Sequence, residues 1–245
     1  MPAPPATTAD QSAARTAAMW AALDPLIGTG QPLAVLDVGG GSGMFAVPLA
    51  RLGHEVTVVD PSADALATLQ RRAGTEGVAG RVRGLQGDGD RLGDVLDDGA
   101  AYDLALCHSV LEVVDDPADT LRQVAGALRP GGTVSIATVN RAGAVLARAL
   151  GGHPVEALAL LEDRDPAPGR ARPARRRFTA EELLSLVAAA GLQPGSWRGV
   201  SVVADLLDAA SGADPAAVRT LELALAGASP YRDVAAGLHL LATRP

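Results

Sequence analysis

Lysine is missing altogether: all 21 basic residues of this 245-residue chain are arginine. A phosphate-binding P-loop needs its lysine, and Schiff-base or pyridoxal chemistry needs a side-chain amine, so both are excluded. Cysteine is almost as scarce. Cys107 stands alone, which rules out an internal disulfide and any multi-cysteine metal site, and no metal is expected. Only six aromatic residues are present (Trp20, Phe45, Tyr102, Phe178, Trp197 and Tyr231), so base stacking has few side chains to draw on. No apolar run approaches the ~20 residues of a membrane span. Met1-Pro2-Ala3-Pro4-Pro5 lacks the basic and apolar segments of a secretory leader, and the expected location is cytoplasmic. A formal net charge of −7 has the wrong sign for a protein that coats nucleic acid, although a local basic patch can work within an acidic chain.

What is present is a soluble, globular composition, 48% hydrophobic and 20% charged, long enough for one well-buried α/β domain. Residues 1–10 are Pro/Ala/Thr-rich and read as a flexible tail; residues 11–245 read as a single domain. The chain is organised around Val35-Leu36-Asp37-Val38-Gly39-Gly40-Gly41-Ser42-Gly43, an apolar run that ends in glycines. This predicts a strand, a tight turn and then a helix from about Met44 to Leu52. Glycines there let a nucleotide approach main-chain N–H groups that a Cβ would shield. Gly41 to Ala46 also satisfies the dinucleotide pattern, so at this point a nicotinamide enzyme and an S-adenosylmethionine (SAM) enzyme both remain open.

Ahead of the turn, Met19, Trp20, Leu23 and Leu26 fall at helical spacing between Gln11 and Ile27. The helix is either a lid on the sheet edge or a carrier for Arg15, whose guanidinium could hold the amino-acid carboxylate of a cofactor. After the turn, Glu55–Asp60 is the second strand. Asp60 lies at the distance expected of a carboxylate that accepts both ribose hydroxyls. A helix is predicted from Pro61-Ser62 through Leu69, and strand 3 over Arg81–Gln86. Gly87-Asp88-Gly89-Asp90 follows at the strand end, a loop that should line the same crevice as Asp60, and Asp88 could accept from an adenine amino group. Strand 4, Tyr102–Cys107, runs into His108, which should face the reacting centre as a positioning residue or base. Cys107 reads as apolar filler. A helix over Ala118–Leu128 leads through Arg129-Pro130-Gly131-Gly132 into strand 5, Thr133–Val139. This last turn has no place in nicotinamide folds and decides for SAM.

Together, Asp37 to Gly43, Asp60, Asp88-Gly89, Tyr102-Asp103 and Leu128 to Gly132 resemble the class I SAM-dependent methyltransferases over about residues 33–139. The resemblance implies a Rossmann-like three-layer α/β sandwich with a seven-stranded, mostly parallel sheet of order 3-2-1-4-5-7-6, strand 7 antiparallel. Gly195–Val203 and Gly237–Thr243 can supply the last two strands, after a helix over Thr179–Gly191. A narrower likeness rests on Arg15, Trp20, Leu23 and Asp24, on His108 to Glu112, on Asn140, and on Pro230-Tyr231 leading into Gly237-Leu238-His239. These look like the bacterial tRNA 5-carboxymethoxyuridine methyltransferases. That resemblance implies methylation of the carboxylate of 5-carboxymethoxyuridine at the tRNA wobble position. Cofactor binding would fall to Arg15, Asp37, Gly39, Gly40, Gly41, Gly43, Asp60, Asp88, Gly89 and His108. Residues 145–176 depart from the family pattern, and its lysine-rich segment is replaced here by arginines.

Residues 151–177 form a long Pro/Gly/Arg-rich connection carrying Arg164, Arg170, Arg172, Arg175, Arg176 and Arg177. It is either a solvated loop or a phosphate-contacting one. Substrate contact is expected from Asn140, Arg175, Arg176 and Arg177, with Phe178 and Tyr231 best placed to hold an extruded base. A carboxylate acceptor is already ionised and needs no base; a phenol, amine or hydroxyl would call on His108 first and Glu112 second. A small metabolite as acceptor, or SAM binding without catalysis, are the alternatives. The oligomeric state is open.

Overall fold

The computed structural model describes residues 8–97, 99, 101–162, 175–207 and 212–245. Residues 1–7 of the expected tail lie outside the described residues; Thr8–Asp10, also assigned to the tail, instead begin helix α1, Thr8–Ile27. The chain groups into two compact units, each made of three stretches. The first comprises Met1–Leu23, Thr138–Glu182 and Ser196–His239, and the second Asp24–Ala137, Leu183–Gly195 and Leu240–Pro245.

The strands are β1 (Ala34–Val38), β2 (Glu55–Asp60), β3 (Val82–Gln86), β4 (Tyr102–His108), β5 (Leu128–Val139), β6 (Gln193–Val200) and β7 (Gly237–Thr243). They form one seven-stranded sheet in the order β3-β2-β1-β4-β5-β7-β6, with β7 antiparallel, as the resemblance implies. β1 is central. It pairs in parallel with β2 (Val35 opposite Val56) and with β4 (Leu36 opposite Ala105). Helices cover both faces of such strands, so they read as continuous apolar runs, and Val35, Leu36, Leu104, Ala105 and Leu106 are all buried. The parallel register puts the carboxyl ends of β1, β2 and β4 at one edge of the sheet, where ligands of open α/β folds bind.

The helices in the second unit are set by their first residues. Ser62 caps α3 (Ala63–Thr75), its hydroxyl accepting the Ala65 N–H at 3.2 Å. Asp116 caps α4 (Pro117–Ala127), accepting from Ala118 and Asp119, and Pro117 fills the first turn, where an N–H has no partner to lose. The glycine turn feeds α2, Ala46–Arg51. Where a turn is expected before strand 5, β5 already starts at Leu128: Leu128 pairs with Tyr102, Thr133 pairs with Leu104, and Arg129–Gly132 is a bulge between them. Gly131, at φ 77°, takes the left-handed bend that this bulge needs, and Arg129 pairs with Asp103 at 2.6 Å.

In the first unit the expected long loop is partly helical. After α5 (Arg141–Leu150), α6 occupies Pro154–Leu161 with Pro154 in its first turn. Arg164, Arg170 and Arg172 lie outside the described residues. α7 (Ala180–Ala189) opens with a reciprocal capping box: the Thr179 hydroxyl accepts the Glu182 N–H, and the Glu182 carboxylate accepts the Thr179 N–H at 2.8 Å. Beyond β6, Ser201 adopts a φ of 56°, and the next three N–H groups, of Val202, Val203 and Ala204, all donate to the buried Glu222 carboxylate of α8, Pro215–Leu225.

Candidate functional site

The glycine turn and the end of β2 are tied together inside the second unit. Asp60, 8% exposed, accepts the Gly41 N–H on Oδ2 and the Ser62 N–H on Oδ1, both at 2.9 Å. Each oxygen keeps a further lone pair. Gly41 and Gly43 have φ of 54° and 79°, and a Cβ on Gly43 would collide with Leu69 Cδ1, so glycine is required there twice over. A Cβ on Gly40 would stand 2.5 Å from the Asp37 carboxyl carbon, so the turn lies directly on that side chain.

Beside the turn is a cavity of about 450 Å³, walled by Gly39, Asp60, Asp88, Gly89, Ser109 and Val110 among others. Four aspartates line it, Asp60, Asp88, Asp90 and Asp115, against one arginine, Arg91. Sequence reasoning alone misses Ser109, Arg91 and Asp115, whereas Asp90 belongs to the loop expected to share the crevice with Asp60. Ser109 carries a signal in its place, directly after a parallel strand; its φ of 59° puts a non-glycine residue in a strained conformation at the cavity wall.

Asp37 and His108 sit behind this wall. Asp37 is 3% exposed, and burial, reinforced by the charge of Asp60, pushes its pKa up to about 7. His108 lies in β4, its Nε2 2.8 Å from the Ser135 hydroxyl and its ring edge-on to Phe45 with centroids 4.6 Å apart. Burial lowers its pKa to about 3, which leaves a neutral imidazole of little basicity. Where His108 is expected to face the reacting centre, Ser109 and Val110 line the cavity instead. Burial drives the Cys107 thiol pKa upward, so it is an inert core group.

The remaining candidates belong to the first unit, and several are already engaged. Arg15 Nε is 2.6 Å from Asp205 Oδ1, a side-chain carboxylate of the same unit. Asn140, read as a substrate contact, is buried with every amide group used: Oδ1 accepts the Ala142 N–H, and Nδ2 donates to the carbonyls of Asp233 and Ala235. Phe178, read as a base-stacking residue, is buried and its backbone bridges to Asn140, so its ring is packing material. Tyr231 is 51% exposed. Arg175 and Arg176 are exposed, while Arg177 is half-buried with Nη1 donating to the Arg175 carbonyl.

A family model described as a methyltransferase domain matches residues 13–195. The chain belongs to that family. Among curated methyltransferases it is 33% identical over 141 residues to the tRNA 5-carboxymethoxyuridine methyltransferase of Escherichia coli, covering 57% of this chain and 53% of that enzyme. It is 36% identical over 110 residues to the ubiquinone biosynthesis O-methyltransferase of Caulobacter vibrioides, covering 44% and 42%. The matched stretch is about half the length of these relatives. Among solved structures, the 1,6-didemethyltoxoflavin-N1-methyltransferase of Burkholderia thailandensis, with bound 1,6-didemethyltoxoflavin and S-adenosylhomocysteine, superposes with a TM-score of 0.57 at 22% identity, covering 96% of this chain and 80% of that one. At that identity the superposition speaks for the fold.

Proposed function

We propose that this methyltransferase uses SAM to methylate the carboxylate of 5-carboxymethoxyuridine in tRNA. The observation that carries the cofactor assignment is Asp60: a carboxylate on the cavity wall, fixed by two backbone N–H groups, with a lone pair left on each oxygen for a pair of vicinal hydroxyls. The wall fits such a ligand. Gly39 and Gly89 line it without side chains, since a Cβ on either would press on Val110 or Val38, and its four aspartates favour a cationic nucleoside over a dinucleotide bearing phosphates. Asp88 would receive the adenine amino group, and Val110 would pack against the ring.

When bound, SAM supplies an electrophilic methyl on a positively charged sulfur. The protein's part is to hold an acceptor oxygen in line behind that methyl and to exclude water. A carboxylate suits this site because His108, held neutral with a pKa near 3, would be a poor proton acceptor for a phenol or amine. Arg175, Arg176 and Arg177 would contact tRNA phosphates, and Tyr231 is the exposed aromatic available to a displaced base. The first relative named above supports tRNA as substrate over a little more than half of this chain.

A small-molecule acceptor is the second reading, favoured by the net charge of −7 and by the ubiquinone-pathway relative. Incubation with methyl-labelled SAM and either bulk tRNA or a metabolite extract separates the two. Label in the tRNA nucleoside fraction is the expected result. Label confined to the extract moves the acceptor to a metabolite, and cofactor binding with label in neither points to a non-catalytic SAM-binding protein.

A further inference from the structure

Building on the proposed SAM site, we infer that Asp37 is a proton-linked positioning residue: neutral while the cavity is empty, ionised when a cationic ligand fills it, so that binding releases a proton. Asp37 lies in the middle of the sheet, opposite Val58 of β2 and Leu106 of β4. Its carboxyl group lies so close under Gly40 that a Cβ there would stand 2.5 Å from it, while the neighbouring Gly41 is held by Asp60. The two acids therefore lie against successive residues of one turn, but they are solvated differently. Asp60 receives two N–H groups; among the described residues, Asp37 receives none.

A carboxylate buried without a donor or a cation is more stable as the neutral acid. Among the described residues, the ionisable groups around Asp37 offer no cation. From β2 comes Asp60, from β4 Cys107, and beyond Cys107 lies Glu112, all acidic. The upward shift of Asp37 under burial and the Asp60 charge agrees with this arrangement. A ligand that brings positive charge into the cavity reverses the balance. The carboxyl O–H then dissociates to buffer, and the ligand's charge takes the place of the lost proton opposite the anion.

Titration calorimetry with SAM, run at about pH 6.5 in phosphate and in imidazole buffers, reads the released proton directly. The heat is expected to depend on the buffer, with release rising toward one proton per chain as pH falls below about 7 and vanishing by about pH 8.5. Affinity should climb about tenfold per pH unit on the acid side of that range. Asp37→Asn should abolish both effects, and S-adenosylhomocysteine, which lacks the sulfonium charge, should release far less. Should the variant not fold, carbon NMR titration of the wild-type carboxyl groups with and without SAM gives the same answer. Buffer-independent heat, release that persists in Asp37→Asn, or equal release with S-adenosylhomocysteine would overturn the inference. Failure of SAM to bind at any pH would instead overturn the cofactor assignment on which it rests.

Discussion

The carboxylate of Asp60 accepts the backbone N–H of Gly41 at 2.9 Å, so the end of the second strand fixes the shape of the turn after the first. Asp60→Ala removes this bond, the Ser62 bond and the two free lone pairs together. SAM affinity is expected to fall by about 1–3 kcal/mol, and the ligand-free protein should also melt earlier, because two N–H groups lose their acceptor. Calorimetry and a thermal melt check the pair; unchanged affinity removes Asp60 from the binding site.

Gly43 faces both a left-handed backbone angle and the Leu69 side chain. Gly43→Ala is expected to cost about 2–4 kcal/mol in unfolding free energy by denaturant titration, through strain and overpacking combined. Gly53→Ala is the control. It shares the positive φ, at 101°, but has open space around it, so the difference between the two isolates the packing part.

The pH dependence of turnover tests the role of His108. With its folded pKa lowered to about 3, the imidazole stays neutral throughout the neutral range, and kcat should be flat from about pH 6 to 9. Stability moves differently. The unfolded chain binds a proton on this residue near pH 6.5 and the folded one does not, so the His108 contribution is lost as pH falls from about 6.5 toward 3. A kcat profile with an acid limb at the ordinary histidine pKa would show that His108 takes a proton in the reaction.

Replacing Arg175, Arg176 and Arg177 by alanine should leave SAM binding intact and weaken tRNA binding. The slope of log affinity against log salt should shrink by up to about 0.9 for each phosphate that is no longer neutralised. Filter binding across a salt series decides, and an unchanged slope means that these arginines do not meet phosphate.

Much of this architecture can be read from the sequence because local signals agree with the fold. Glu55–Asp60 and Gly237–Thr243 are legible to the residue, one as an apolar run closed by an acid, the other as an apolar run after glycine. α3 continues to Thr75, past the expected end at Leu69, because Gln70, Arg71 and Arg72 propagate a helix well without marking an apolar face. α6 is hidden in the sequence since its glycine and proline neighbours suggest a loop, although Pro154 merely occupies a helix's first turn. The cofactor-side acids can be named from spacing. Whether Asp37 lines the cavity or lies beneath it cannot, because that depends on which way the glycine backbone folds over it. Nor can spacing show that Asn140 and Phe178 are consumed by packing, or that Arg15 has an acid partner 190 positions away in Asp205.

β6 is one of the two edge strands of the sheet, opposite β3, and such rims can recruit strands from other chains into aggregates. Glu222 guards its far end. By occupying three consecutive amide donors immediately past the strand, one carboxylate leaves none of those N–H groups free to pair with an intruding chain, so the strand's continuation is closed from within by a single acidic side chain.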